Sequence, residues 1–206
     1  MGCDIHMHIE YKKTIDGKTK WVCGDYFKAN PYYGVWEEEK PYALVGFCDE
    51  RNYALFSTLA NVRNYGNTNY ICEPKGLPSD VCEEIKKDAD DWGIDGHSHS
   101  WFTLKELLDY QKLGHKVKYR GMISKEAQIA LDEDGIIPNE WCQMTNQKDC
   151  GFREWLQEDY SLNELIEKLK ERAKELYYIY DFWWDGDYQK AYELADGIRI
   201  VFWFDN

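Results

Sequence analysis

The C-terminal segment GIRIVFWFDN constrains the fold more than any other part of the sequence. Between Ile198 and Phe204 every residue is apolar except Arg199. Such a run predicts a central or half-buried β-strand, because a strand must be covered by other elements to bury so many large side chains. A buried arginine within it calls for an anionic partner. The chain is therefore expected to build a sheet around its last strand.

The N-terminal segment CDIHMHIEY predicts a second strand, because apolar and polar residues alternate with a period of two. An Asp16-Gly17 turn follows, and TKWVCGDYF is suited to return as the partner strand of a hairpin. The apolar face of the first strand holds Cys3, Ile5, Met7 and Ile9, and its polar face holds Asp4, His6, His8 and Glu10.

Helical spacing of apolar residues predicts a short helix over residues 52–61, and four further segments carry helix start and stop residues. With both terminal strands, they predict an α+β fold, in which an antiparallel sheet containing both terminal strands packs against several helices on one side. The length fits a single domain, 1–206, with a candidate helical lobe around 79–135. The expected caps are Ser79 or Asp80, Thr103 with Glu106, Ser124, and Ser161 with Glu164.

Composition narrows the classes of partner. The chain is 44% hydrophobic, which is enough for a core, and its formal net charge of -13 repels phosphate backbones, so nonspecific nucleic-acid binding is not expected. A metal, a small ligand or a basic protein surface are the partners left. The sequence has no run of about 18 apolar residues and no signal-like start, so we expect no membrane contact and a cytoplasmic location. Seven cysteines without a CxxC motif disfavour disulfides and structural zinc.

Two Asp-x-His-x-His segments carry the chemistry, one in the first strand and one in GIDGHSHSW, whose glycines and serines predict a loop. Side chains two residues apart on a strand point the same way, about 6–7 Å apart, so they can converge on one cation. Imidazoles and carboxylates would suit zinc, manganese or iron. Without a metal, His6, His97 and His99 could serve as catalytic acid and base; the alternative is hydrogen-bonded structure. The candidate metal ligands are Asp4, His6, His8, Asp95, His97 and His99.

A ligand-binding set is suggested by arginines and asparagines at the two ends of the predicted helix at 52–61. A helix start with an adjacent arginine is a natural phosphate site, whereas salt bridges to the chain's 38 acids are the alternative. The aromatic ring of Trp101 could stack on a nucleobase. The candidate ligand-binding residues are Arg51, Asn52, Arg63, Asn64, Arg199 and Trp101.

Several blocks of the sequence resemble a widespread group of small bacteriophage proteins. They are MGCDIH, RNYALFSTLANVRN, EPKGLPSDV, GIDGHSHSW and RIVFWFDN. The resemblance implies a phage origin and a place in the host cytoplasm during infection, not a particular reaction. The resemblance also implies that some members lack a histidine at the position of His8, which weakens a two-imidazole metal site on the first strand and shifts the weight of the site to His6, His97 and His99.

Three hypotheses follow for function. The first is a phage counter-defence protein that binds and hydrolyses a phosphate-bearing nucleotide, such as a cyclic nucleotide immune signal, as a metal- or histidine-dependent phosphodiesterase. The second is a non-catalytic sponge for such a nucleotide, which would favour a homo-oligomer. The third is an acidic inhibitor of a host protein. Hydrolysis requires residues 4–8 and 95–99 to meet in space.

Overall fold

The computed structural model of the protein describes residues 2–35, 40–48, 50–66, 68–177 and 194–205. Eight strands and five helices lie within these ranges. In chain order they are β1 (Ile5–Ile15), β2 (Lys18–Cys23), β3 (Tyr26–Ala29), β4 (Tyr42–Val45), α1 (Tyr53–Ala60), α2 (Glu83–Asp91), β5 (His97–Thr103), α3 (Leu104–Gln111), β6 (Lys116–Ile123), α4 (Lys125–Asp134), β7 (Gly151–Glu158), α5 (Tyr160–Tyr177) and β8 (Ile198–Phe204).

The central sheet has four antiparallel strands in the order β2-β1-β8-β5. The two terminal strands lie side by side, with Ile5 opposite Phe204 and Tyr11 opposite Ile198. All seven residues of β8 are buried, because β8 has a neighbouring strand on each side and packed elements on each face. The predicted α+β fold, with an antiparallel sheet that contains both terminal strands, is confirmed.

Helices cover both faces of this sheet. One face packs on α1, α3 and α5 and forms the larger core. The other face is covered by α2, whose Ile85 and Ala89 pack against Val201 and Trp203. The expectation of helices on one side was therefore wrong. The polar face of β1 lies beneath α2 from His6 to Glu10: His6 packs on Trp92, His8 bonds to Asp88, and Glu10 accepts from the backbone N–H of Cys82.

Two of the predicted helix caps are confirmed. Thr103 and Glu106 form a capping box at the start of α3. Ser124 caps α4, which ends at Gly135 in the left-handed conformation. Polar residues in these positions satisfy backbone groups that have no partner within the helix.

Two other predicted caps were wrong. The N-cap of α2 is Cys82, with no side-chain hydrogen bond, because Asp80 turns towards Arg199 instead. At the start of α5 the carboxylate of Asp159 accepts a hydrogen bond from the backbone N–H of Leu162, 2.9 Å away. A cap from Asp159 replaces the capping box that was expected two residues later, at Ser161.

The predicted loop at GIDGHSHSW is mostly a strand, β5, which pairs with β8. A bulge interrupts the pairing between His97 and Ser100, and Ser98 adopts a positive φ of 52° there. Serines are poor strand formers, but the free edge of the apolar strand β8 supplies a hydrogen-bonding partner, and this tertiary pairing outweighs local preference.

Residues 79–135 contain α2, α3 and α4, together with β5 of the central sheet and β6. Strands β6 and β7 form a separate two-stranded sheet, and β3 and β4 form another. Among the described residues, no helix is both long enough and apolar enough to cross a membrane.

Candidate functional site

Six of the twelve predicted site residues gather at the end of the central sheet where β1 begins and β8 finishes. His6 lies opposite Trp203 in the β1–β8 pair, and His97 lies opposite Phe204 in the β5–β8 pair. Because β8 runs between β1 and β5, the two Asp-x-His-x-His segments flank the same end of this strand. We name the group the sheet-end cluster, and it consists of Asp4, His6, Arg51, Arg63, His97, His99 and Asp205.

His6 is held by a carboxylate that follows the last strand. Its Nε2 atom lies 3.2 Å from Oδ2 of Asp205. The other oxygen of Asp205 accepts a hydrogen bond from the backbone N–H of Asp4, at 2.9 Å, which fixes the carboxylate. The His6 ring packs on Trp92 at the end of α2, with ring centroids 4.0 Å apart, and its side chain is 24% exposed. An oriented and partly accessible imidazole of this kind can transfer protons.

The bulge in β5 sends its two histidines to different faces of the sheet. His99 stacks near Trp203, on the face that also carries His6, with ring centroids 5.8 Å apart. His97 stacks near Phe204, whose ring belongs to the larger core. Burial, together with the nearby His97, lowers the pKa of His99 below its usual value of 6.5, so His99 is a neutral proton acceptor at pH 7.

Two buried ring nitrogens at this end have no hydrogen-bond partner within the described ranges. They are Nε2 of His97 and Nε1 of Trp203. The other ring nitrogen of His97 shares a hydrogen bond with the hydroxyl of Ser98, at 3.0 Å. Buried polar atoms without partners are rare in folded proteins and often mark a position for water, an ion or a ligand. Both atoms lie at the end of β8, where Trp203 is opposite His6 and Phe204 is opposite His97.

Arg51 and Asp4 form a two-pronged ion pair at the edge of the sheet-end cluster. Nε and Nη2 of Arg51 donate to the two carboxylate oxygens at 2.7 and 2.6 Å. The hydrogen bonds from Arg51 hold the pKa of Asp4 below its usual range. Arg63 lies nearby and donates to the hydroxyl of Tyr65 and to the carbonyl of Gly2, at 3.2 and 3.4 Å. Both carboxylate oxygens of Asp4 are bound by Arg51, so Arg51 forms the salt bridge that was the alternative to a phosphate site.

The two candidate asparagines serve the backbone. Oδ1 of Asn52 accepts from the N–H of Leu55 and caps α1, while its amide donates to Ser161. The side chain of Asn64 makes two hydrogen bonds to the backbone of Thr68, both 2.8 Å long. Both amides therefore have structural roles, and the structure brings neither to the histidines as a ligand-binding group.

His8 is enclosed between two carboxylates. Nδ1 lies 2.7 Å from Asp25, and Nε2 lies 3.0 Å from Asp88 of α2. Burial alone lowers the pKa of His8, but the hydrogen bonds to Asp25 and Asp88 outweigh it and raise the pKa to about 9. With both ring nitrogens engaged, this imidazolium joins α2 to β1 and has no free atom for a metal ion.

The candidate metal ligands do not converge on one point. Asp95 is exposed in the turn after α2, where its backbone N–H donates to the carbonyl of Trp92. Within the described part of the chain, no three histidine, cysteine or acidic side chains are placed to hold one ion. The histidines left for a zinc, manganese or iron ion are His6, His97 and His99, and His97 lies on the opposite face of the sheet from the other two.

Arg199 lies away from the sheet-end cluster, and Trp101 lies between the two, opposite Val201 in the β5–β8 pair. Arg199 is four residues before Trp203 in β8, which corresponds to about 13 Å along a strand. Its buried guanidinium bonds to Glu10 at 2.7 Å, which supplies the anionic partner expected from the sequence. The face of the sheet under α2 therefore has two polar ends, with Arg199 at one and the histidines at the other.

Two residues of the candidate site were not predicted from the sequence. Asp205 was not among the predicted residues. The signal that could have identified it is its position immediately after the apolar strand, because polar side chains that follow a rigid strand are often functional. Trp203 sits among apolar residues and gives no sign that three histidine rings, those of His6, His8 and His99, surround it. Only the strand order reveals that contact.

Comparisons with protein families, curated proteins and solved structures give no match for this chain. The case for a function accordingly rests on the geometry of the described residues.

Proposed function

We propose that the sheet-end cluster binds and hydrolyses a phosphate-bearing nucleotide. The single observation that carries the proposal is that His6, Arg51 and His99, which are distant in the sequence, lie at the same end of the sheet as Asp205. Histidines and arginines are the residues that phosphodiester hydrolysis without a cofactor requires, as proton carriers and as phosphate ligands. The resemblance to bacteriophage proteins suggests a cyclic nucleotide immune signal in the host cytoplasm as the substrate.

The histidines supply the acid–base chemistry. His99 is neutral at pH 7 because burial lowers its pKa, so it can take a proton from an attacking water molecule. His6, oriented by Asp205, can give a proton to the oxygen that leaves phosphorus. Water thus forms the new P–O bond, the ester P–O bond breaks, and one proton moves through each ring.

Arg51 is the phosphate ligand in this scheme. Its pair with Asp4 is about half exposed, with side chains 51% and 41% accessible. Exposed ion pairs of this kind are weak, because water and salt compete for both charges. A phosphate group can therefore replace Asp4 on the guanidinium at small cost and gain the same two-pronged contact.

A metal-dependent form of the proposal uses zinc, manganese or iron held by His6, His97 and His99. A bound ion of this class polarises a phosphoryl oxygen. The donor geometry does not bring three ligands together, so the acid–base form is the one that the geometry supports better.

The test combines metal content with turnover. Protein purified without a metal-affinity column is measured by plasma mass spectrometry, and hydrolysis of cyclic mononucleotides and dinucleotides is followed by chromatography. His6→Gln and His99→Gln should each lower turnover about 100-fold or more. His115→Gln, which changes a histidine outside the cluster that stacks on Tyr110, is the matched control. Unchanged turnover in both cluster variants would overturn the proposal.

A sponge that holds the nucleotide without turnover is the second candidate. Two observations favour it. A phosphate can bind Arg51 by taking the place of Asp4, and the described residues contain no group of three side chains placed to hold a catalytic metal ion. If intact nucleotide is recovered in a one-to-one ratio after the complex is denatured, the sponge is supported and hydrolysis is excluded. Light scattering with and without the nucleotide then tests whether binding involves a homo-oligomer.

A further inference from the structure

A second polar site lies at the other end of the α2-covered face, where α2 begins. It is a groove of about 530 Å³, which is within the range of ligand pockets. We name it the tryptophan groove, and the lining residues that matter here are Lys12, Trp21, Lys75, Asp80, Trp101 and Arg199.

Arg199 is fixed in the wall of this groove by a buried carboxylate. Its Nε donates to Glu10, which is fully buried and also accepts from the backbone N–H of Cys82. Arg199 itself is only 2% exposed. Because one edge of the guanidinium is held by Glu10, the opposite edge has a fixed direction, towards Asp80, whose carboxylate accepts from Nη1 at 2.9 Å. The groove thus contains a preoriented arginine edge.

Asp80 occupies the position that an anionic ligand would take. Its side chain is 62% exposed, in contrast to the buried Glu10 on the other side of the guanidinium. An exposed carboxylate is bound weakly because water and salt compete for it. An external phosphate can therefore displace Asp80 from Arg199 while Glu10 keeps the arginine in place.

Two indole rings and two lysines complete the groove. The Arg199 guanidinium lies 3.9 Å from the Trp21 ring centroid, and Nζ of Lys75 lies 3.8 Å from that of Trp101. Both tryptophans are partly exposed. Lys12 lies near the Trp21 ring and pairs with the exposed Asp196, so it too can exchange partners. Partly exposed indoles favour stacking on a flat aromatic ring, whereas the cations favour a negative group.

We propose that the tryptophan groove is a separate binding site for a free nucleotide, in which the base packs on Trp101 and the phosphate replaces Asp80 on Arg199. The inference goes beyond the proposed hydrolysis, since the phosphate would bind Arg199, which lies about 13 Å along β8 from Trp203 and the histidines beside it. A free mononucleotide fits better than a nucleic acid, because the net charge of -13 repels a polymer of phosphates.

The test is isothermal titration calorimetry of the full chain with adenosine monophosphate, adenosine and inorganic phosphate at low and high salt. The monophosphate should bind more tightly than either part alone, and added salt should weaken it. Three results would overturn the proposal: inorganic phosphate binds but the monophosphate binds no more tightly, only a single-stranded oligonucleotide binds, or nothing binds.

Variants with opposite expected effects assign the binding to the groove. Asp80→Asn removes the internal competitor and should tighten monophosphate binding about two- to fivefold. Trp101→Leu removes the stacking surface and should weaken it about tenfold. The matched controls are Asp90→Asn, an exposed acid of α2 paired with Lys86, and Trp141→Leu, an exposed tryptophan outside the groove.

The variants also separate this site from the hydrolytic one. If Arg51→Ala abolishes monophosphate binding and the two groove variants leave it unchanged, the ligand occupies the sheet-end cluster and the groove proposal fails. If the groove variants shift the affinity in the two expected directions, the groove proposal stands whether or not the protein hydrolyses any nucleotide.

Discussion

The buried His8 is the residue whose charge should be most visible in the stability of the protein. Its pKa rises from about 6.5 in the unfolded chain to about 9 between Asp25 and Asp88. The stabilisation is therefore complete below about pH 6.5 and is lost as the pH rises through 9. A shift of this size corresponds to about 3 kcal/mol. We expect the free energy of unfolding, measured with urea, to fall over this interval.

His8→Gln should remove that pH dependence and lower the stability at pH 6, because Asp25 and Asp88 then lose their cationic partner. His115→Gln is the control and should keep the wild-type profile. If the wild-type and His8→Gln profiles ran parallel between pH 6 and 9, the imidazolium would not be the source of the slope.

For individual residues, the sequence predicted which side chains belong to the candidate site better than it predicted what each of them does there. It selected His6, His99 and Arg51, which the structure brings to one end of the sheet. Spacing alone could not distinguish His6 from His8, because residues two apart on a strand share a face whatever lies above that face; only the resemblance favoured His6. The partners that separate the two roles, Asp25 and Asp88 for His8, come from the hairpin and from α2.

At the scale of elements, helix α5 provides a direct test of a structural cap against the one that the sequence predicted. Asp159→Ala should lower the free energy of unfolding by about 2–4 kcal/mol, because it removes the cap and leaves the hydroxyl of Thr58 without its 2.6 Å acceptor. Glu164→Ala, in the predicted capping box, should change it by less than about 0.5 kcal/mol, since Glu164 pairs with Lys168 at the surface.

Urea unfolding of the two variants decides between the caps. A larger loss for Glu164→Ala than for Asp159→Ala would favour the capping box read from the sequence. Asp159→Asn keeps an oxygen acceptor at the same place, so it should recover part of the stability lost in Asp159→Ala.

Elements were predictable where their own residues determine them, and less so where a neighbour does. The alternation of β1 and the apolar stripe of α5 are local signals, and both are confirmed. Strand β5 was missed because its serines and the glycines just before it resemble a loop, and its conformation depends on pairing with β8. The position of α2 over the polar face of β1 was missed for the same reason, since the contact joins segments far apart in the chain.

For the whole molecule, the topology predicts a gradient of local stability. Strand β8 is central in the four-stranded sheet and every residue in it is buried, whereas all four residues of β3 are exposed and its only strand partner among the described residues is β4. Backbone amides of β8 should open only when the whole domain unfolds, and those of β3 should open locally. Hydrogen exchange followed by mass spectrometry should therefore show slow exchange over 198–204 and fast exchange over 26–29. Equal protection of both segments would contradict this prediction and would mean that β3 and β4 are covered in solution by something other than the described residues. A second copy of the chain is the first candidate, and light scattering would test for it.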